Sequence, residues 1–172
     1  MRIRPTTARD IAAVDALLSA SYPVLLKPDY APSVLVTALP IINRAQPALV
    51  SCGTYYGVFD GDALVGAGGW TRARPGGKAD VKAGVGQPEV GHIRHVVTDY
   101  RRTREGIGRR LLQHITQQAR GAGIRYLACQ STLTAAPFYR AMGFEGEQVI
   151  AVPLAAGIAF PAVSMGRATG EV

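Results

Sequence analysis

The sequence predicts an α/β (α+β) fold in which a central twisted sheet of about six to seven strands is flanked by about four helices. Three observations predict it. Apolar segments with two-residue periodicity recur along the chain, helical periodicity returns between them, and an Asp60-Gly61 turn separates two of the strand segments as a hairpin. At 172 residues and 48% hydrophobic, the chain fits one domain over 1–172.

The elements follow in order. Arg2 to Arg4 form a short strand, and Ile11, Val14, Leu17 and Leu18 recur at helical spacing behind a Thr6 or Thr7 cap, in a helix expected to end near Tyr22-Pro23. A second helix, from about Pro32 to Ala45, carries Val34, Leu35, Ala38, Leu39 and Ile42; Pro40 should kink or divide it. Residues 54–71 hold the hairpin strands, and 72–88, rich in Gly and Pro, form a loop. Glu89 to Thr98 returns to strand character. From Gly106 to Arg120 a helix places Ile107, Leu111, Leu112, Ile115 and Ala119 on one face, with Gly121 and Gly123 as its stop. A strand at Arg125 to Gln130, a short helix from Ala135 to Ala141 ended by Gly143, and strands at Phe144 to Val152 and Pro161 to Arg167 complete the chain.

No run of about 18 apolar residues exists, and the N-terminus turns polar at once, so the chain is expected to be soluble and cytoplasmic, with no membrane partner. Cys52 and Cys129 are far apart and suggest neither a metal site nor a disulfide framework. The net charge of +7 leaves nucleic acid, an acidic partner or an anionic cofactor open, so its distribution decides. Arg101, Arg102, Arg104, Arg109 and Arg110 crowd one short segment.

That segment runs from the strand ending at Thr98 into the helix opening at Gly106. A helix start presents unpaired N–H groups and the positive end of the helix dipole, and glycine at Gly106 and Gly108 lets an anion approach closely. A nucleotide P-loop is excluded because no lysine–hydroxyl pair completes it, and a dinucleotide fold would want glycine where Leu111 stands. Nucleic acid is disfavoured, since the arginines flank a turn instead of lining one helix face and no aromatic residues interleave with them.

Thr103-Arg104-Glu105-Gly106-Ile107-Gly108 resembles the phosphate-binding signature of the GNAT superfamily of N-acetyltransferases, with Thr103 in place of the usual Gln or Arg. A second segment, Ser131 to Phe144, is similar to the family's stretch in which an Asn precedes a helix bearing a Phe-Tyr pair and ending in Gly-Phe; here Thr134 stands at the Asn position. The resemblance implies a mixed sheet, mostly antiparallel with a splayed parallel pair. It implies acetyl-CoA as cofactor, its pyrophosphate held by main-chain amides of Arg104, Glu105, Gly106, Ile107, Gly108 and Arg109. Its pantetheine arm would lie along Val96, Val97 and Thr98, beside Thr134 and Phe138. By the same resemblance Tyr139 protonates the departing thiolate, and a main-chain N–H near Val96 or Val97 meets the oxyanion.

Transfer to an amine by direct attack in a ternary complex needs a neutral nucleophile and hence a base. Glu89, His92 and His95 lie on the same strand, and imidazole, with an ordinary pKa of about 6.5, suits the work. Either histidine is equally readable as a packed strand residue. Tyr22, Tyr30, Tyr55, Tyr56 and Trp70 are candidate walls for a small-molecule or peptide amine with an apolar body. A GNAT-fold protein that binds acyl-CoA without catalysis stays open, as do the acceptor's identity, the acyl chain and a homodimeric state.

Overall fold

A computed structural model describes residues 1–75, 89–155 and 157–170. Among them are seven strands: β1 (Arg2–Pro5), β2 (Tyr55–Asp60), β3 (Ala63–Thr71), β4 (Val90–Thr98), β5 (Tyr126–Thr132), β6 (Glu145–Ala155) and β7 (Ile158–Ala168). They form one sheet in the order β1-β2-β3-β4-β5-β7-β6. Every neighbouring pair is antiparallel except β4 and β5, which run parallel. This is the mixed sheet the sequence predicts.

Five α-helices among the described residues cover the two faces: α1 (Ile11–Leu26), α2 (Pro32–Ile42), α3 (Pro47–Val50), α4 (Ile107–Gly121) and α5 (Ala136–Ala141). On one face Ile107, Leu111, Leu112, Ile115 and Ala119 of α4 pack with Tyr139 of α5 against the sheet. Those five α4 side chains are 0–2% exposed, and at about 1.5–3 kcal/mol per large apolar side chain their burial dominates any local helix propensity. On the other face Val14, Leu18 and Leu26 of α1 join Leu35 of α2 and Val50 of α3. Among the described residues no helix is long and apolar enough to cross a membrane, and no group of three metal-ligating side chains occurs.

Three element boundaries differ from expectation. The first helix runs through Pro23 to Leu26, because the buried stripe continues through Tyr22 and Leu26 and outweighs the hydrogen bond that proline cannot make. Thr7 precedes a single 3₁₀ turn (Ala8–Asp10), where its N–H donates to the Asp10 carboxylate at 2.8 Å. The same carboxylate takes two hydrogen bonds of 2.9 Å from Arg4 and is pulled down to about 2, chiefly by that guanidinium. The second helix stops at Ile42 instead of Ala45, since Asp15 of α1 captures the Ala45 N–H at 2.9 Å, and the short α3 follows. The closing hairpin is longer than expected, with a solvent-facing β6. Of the loop expected at 72–88, residues 76–88 lie outside the described residues.

Two features position the site. Parallel pairing of β4 with β5 ends at His92 opposite Ala128, after which the strands part. On the other edge of β4, Arg94 pairs with Gly69 and Val97 with Ala67, so three steps on β4 match two on β3 and one extra residue bulges at His95–Val96. His95 holds φ at +43°, a left-handed value costly for a side chain of this size. Across from the bulge stands Gly68, where a Cβ would fall 2.7 Å from Val96 Cγ2 and 2.9 Å from Val96 Cα. Gly68→Ala is expected to cost about 1–3 kcal/mol through overpacking, read as a lower urea midpoint at unchanged slope. An unaltered midpoint would show that the bulge is not constrained from β3.

Candidate functional site

Where β4 and β5 separate, a cleft of about 870 Å³ opens between them. From Ile93 to Thr98 the β4 main chain has no strand partner on that side, so its polar groups face the cleft. Val96, Val97 and Thr98 all line it.

The far end of the cleft is closed by the start of α4. Two left-handed residues, Arg104 at φ +69° and Gly106 at φ +77°, curl the chain just before the helix, and no side chain caps Ile107–Gly121. Alternating hand in a loop turns successive N–H groups inward, and an uncapped first turn adds more, so this corner is built to receive an anion. Arg104, Gly106, Ile107, Gly108 and Arg109 line the cleft, whereas Glu105 does not. Instead the Glu105 carboxylate accepts from Arg102 at 2.8 and 2.9 Å, and Asp60 takes a third hydrogen bond from Arg102 at 2.7 Å. Arg101 is likewise held by Asp99 at 2.8 Å. Among the described residues, Arg104, Arg109 and Arg110 are therefore the arginines of the cluster without a carboxylate partner. Positive charge not engaged by a carboxylate is thus concentrated at the turn rather than spread along a surface.

Across the cleft, β5 and α5 bring in Thr134, Phe138 and Tyr139. The Thr134 hydroxyl is buried with no hydrogen-bond partner among the described residues. Tyr139 is 4% exposed, its ring edge-on to Phe138 and Phe144 at centroid distances of 5.3 and 5.2 Å. Burial holds its phenol well above the ordinary range, and the neighbouring Cys129 thiol adds to this, so the proton stays on oxygen throughout the neutral range. Cys129 is itself pushed up to about 12 by burial.

The histidines separate cleanly. His95 lines the cleft, its Nε2 3.3 Å from Gln46 Nε2 and its carbonyl accepting from the Tyr55 hydroxyl at 3.0 Å. Burial, then the Arg94 charge, drives its imidazole down to about 4. His92 sits on the paired part of β4, opposite Ala128 and Thr71, and does not line the cleft. Its imidazole is lowered too, by burial and then by Arg74 and Arg94. Glu89 lies before β4, paired with Arg125 at 3.3 Å.

Of the aromatic candidates, Tyr22 lines the cleft and the others do not. Tyr30 is a structural clamp, its hydroxyl donating to the Pro161 carbonyl at 2.7 Å and accepting from the Leu133 N–H at 2.8 Å. Around Tyr22 the wall is built from Leu25, Leu26, Ile42 and Leu154, with Phe160 as a further aromatic lining residue. Sequence reasoning missed Arg94, which lines the cleft between the two histidines; the signal available was a cation in a strand otherwise dominated by Ile93, Val96 and Val97.

With this geometry in view, the comparisons with known proteins fall into place. The profile of the Acetyltransferase (GNAT) family matches residues 14–144. The chain belongs to the GNAT family of acetyltransferases. As a GNAT protein it is an acyltransferase. No curated protein matches it significantly in sequence. Among solved structures it is similar to a GCN5-related N-acetyltransferase from Rhodopseudomonas palustris at TM-score 0.76 and 16% identity, covering 97% of this chain and 94% of that one. PaiA N-acetyltransferase from Thermoplasma acidophilum, solved in complex with coenzyme A, gives 0.71 at 13% identity, with 97% and 98% covered. A probable acetyltransferase from Staphylococcus epidermidis gives 0.67 at 16%, with 98% of each chain covered. At these identities the likeness speaks for the fold.

The His95 shift carries a sign. Between pH about 6.5 and about 4 the unfolded chain takes up a proton on this residue that the folded chain refuses, so stability from this site is complete above 6.5 and declines as pH falls through that window. A proton NMR titration should place the His95 midpoint near 4. A midpoint at or above 6.5 would mean that its pocket is well hydrated.

Proposed function

We propose that this GNAT protein acetylates a primary amine by direct attack within a ternary complex, its cofactor bound in the cleft between β4 and β5. Acetyl-CoA is the acyl donor, and the residues present suit it. The observation that carries the reading is the junction of three things in one cleft: an unpartnered β4 edge, an uncapped helix start flanked by Arg104 and Arg109, and a protonated Tyr139. The Thr134 hydroxyl adds a buried polar group without a partner among the described residues.

When bound, acetyl-CoA supplies a thioester whose C–S bond breaks as the amine nitrogen forms a C–N bond to the acetyl carbon. The first-turn amides of α4, with Arg104 and Arg109, hold the pyrophosphate. The β4 main chain from Val96 to Thr98 aligns the pantetheine arm as a further strand would be aligned. A β4 N–H at Val96 or Val97 meets the negative charge that develops on the carbonyl oxygen. Tyr139 donates its proton to the leaving sulfur; the burial that raises the phenol raises a thiolate beside it as well, so the two remain matched. His95 stays neutral at pH 7, its Nε2 accepting from the Gln46 side-chain amide, and lines the same cleft.

The test is release of free CoA thiol when acetyl-CoA and a panel of amines are supplied. Tyr139→Phe should lower kcat by roughly 10²-fold or more with little change in KM for acetyl-CoA; unchanged kcat would remove the proton-donor role. Thr134→Val should leave the thermal midpoint unchanged or slightly raised, because a buried hydroxyl without a partner stabilises nothing. The same substitution should weaken CoA binding about 3- to 10-fold by calorimetry. Failure of the wild-type chain to bind CoA at millimolar concentration would overturn the proposal as a whole.

A further inference from the structure

The part of the cleft remote from α4 holds a charge that acetyl-CoA does not need. Arg94 lies two residues beyond the last β4–β5 pair, at the point where the strands have just parted. From Arg94 to Thr98 is four residues, about 13 Å of strand, which separates it from the phosphate corner. It is half-buried, and its Nη1 donates to Thr71 Oγ1 at 3.0 Å. No carboxylate among the described residues pairs with it. Burial lowers its affinity for the proton, and the neighbours that offset this are Cys52 and Tyr55, whose own phenol burial keeps protonated.

A guanidinium in a partly buried strand position is costly unless acceptors complete it; Arg167 on β7 has the main-chain carbonyls of Met142 and Ala168, and the ion-paired arginines among the described residues have carboxylates. Arg4 has Asp10, Arg101 has Asp99, and Arg102 has both Asp60 and Glu105. Along the whole cleft there is no aspartate or glutamate among the described residues. Nothing there would balance a second ammonium on a polycationic acceptor, and the neighbouring His92, His95 and Arg74 add no negative charge.

We infer that Arg94 determines acceptor specificity, and that the amine acetylated by this chain also carries a carboxylate, which the free edge of the guanidinium holds where β4 and β5 diverge. The inference rests on the acetyl-transfer reading above. The guanidinium fork suits a planar carboxylate, with Nε and Nη2 available while Nη1 is tied to Thr71. Anchored there, an acceptor of amino-acid size extends its nitrogen toward the β4 bulge, where His95 lines the same cleft. The chemistry is that of acetyl transfer: one C–N bond forms, one C–S bond breaks, Tyr139 protonates the sulfur, the amine proton leaves to solvent, and solvent returns a proton to Tyr139.

The experiment supplies the twenty standard amino acids, each beside its amide and its decarboxylated amine, and reads CoA-thiol release. Calorimetric titration of the same compounds into CoA-loaded protein gives a second readout. At least one amino acid should turn over, with kcat/KM about 10- to 100-fold above its amide, the range that a charge-assisted hydrogen-bonded pair supports. Arg94→Gln should raise KM for that amino acid by a similar factor, erase the preference for acid over amide, and leave the Kd for CoA within about twofold. Arg94→Lys, which keeps the charge but not the fork, should retain part of the preference and serves if the glutamine variant folds poorly. Equal or faster turnover of amides or decarboxylated amines overturns the inference, as does a preference that survives Arg94→Gln. Silence of every amino acid in both readouts while CoA binds also overturns it and leaves acetyl transfer standing. Loss of CoA binding in the wild-type chain would bring down both.

Discussion

The divergence of β4 from β5 after His92 is the constraint on which the rest of this molecule depends. Up to that residue the parallel pair holds the two halves of the sheet together; beyond it the β4 backbone is left unpartnered inside the protein. Unsatisfied main-chain groups at such a depth are expensive, so the opening persists only because the surroundings hold it in place. Gly68 makes room for Val96 on one side, while β5 stays tied to β7 over its full length from Tyr126 to Thr132 on the other. The Tyr55 hydroxyl takes up the His95 carbonyl at the bulge itself. A cleft whose walls are fixed by the surrounding framework in this way offers backbone donors to a guest at little reorganisation cost.

Electrostatics divide that cleft into two ends. Near α4 the helix dipole, the curled loop and two uncommitted arginines reinforce one another, while Arg101 and Arg102 are spent on holding the loop through Asp99, Asp60 and Glu105. Near the parting of the strands stands the single guanidinium of Arg94, without a carboxylate among the described residues. Between the two ends the walls are mainly apolar, from Leu25, Leu26, Ile107 and Phe138. The two regions of positive charge are thus separated by a mainly apolar stretch of wall.

Much of the fold was legible because single-element signals were strong. Ile107, Leu111, Leu112, Ile115 and Ala119 mark one face of α4 without ambiguity, and all five are buried. The hairpin around Gly61 and Asp62 closes with Asp60 opposite Ala63. Pro23 misled because a local rule lost to a tertiary one: the buried surface of Tyr22 and Leu26 carries α1 past it. The four-residue α3 is too short to show a period, and β6 is too polar and solvent-facing to show its full length. The glycine turn was legible from its residues and Tyr139 from the family resemblance, and both line one cleft. The choice between His92 and His95 was not, because strand alternation assumes an unbroken pleat, and one inserted residue changes which face each later side chain meets. Nothing local in Arg94-His95-Val96-Val97 announces the bulge.

That bulge also bears on how a proton leaves the acceptor. An alkylammonium of ordinary pKa near 10.4 lies roughly six units above an imidazole held at about 4, so direct transfer to His95 would climb by about 9 kcal/mol. A water chain to bulk solvent has no such penalty beyond that of the amine's own titration. His95, its Nε2 accepting from the Gln46 amide, is therefore better suited to shape the cleft at the bulge than to make the amine neutral. The adjacent Arg94 fits the same division of labour: its charge helps depress the histidine, which keeps the imidazole an acceptor, and it disfavours an ammonium next to it, which biases a bound amine toward its reactive form. One cation placed where the strands part thus acts on acceptor recognition, on the histidine's protonation state and on the nucleophile's readiness at once.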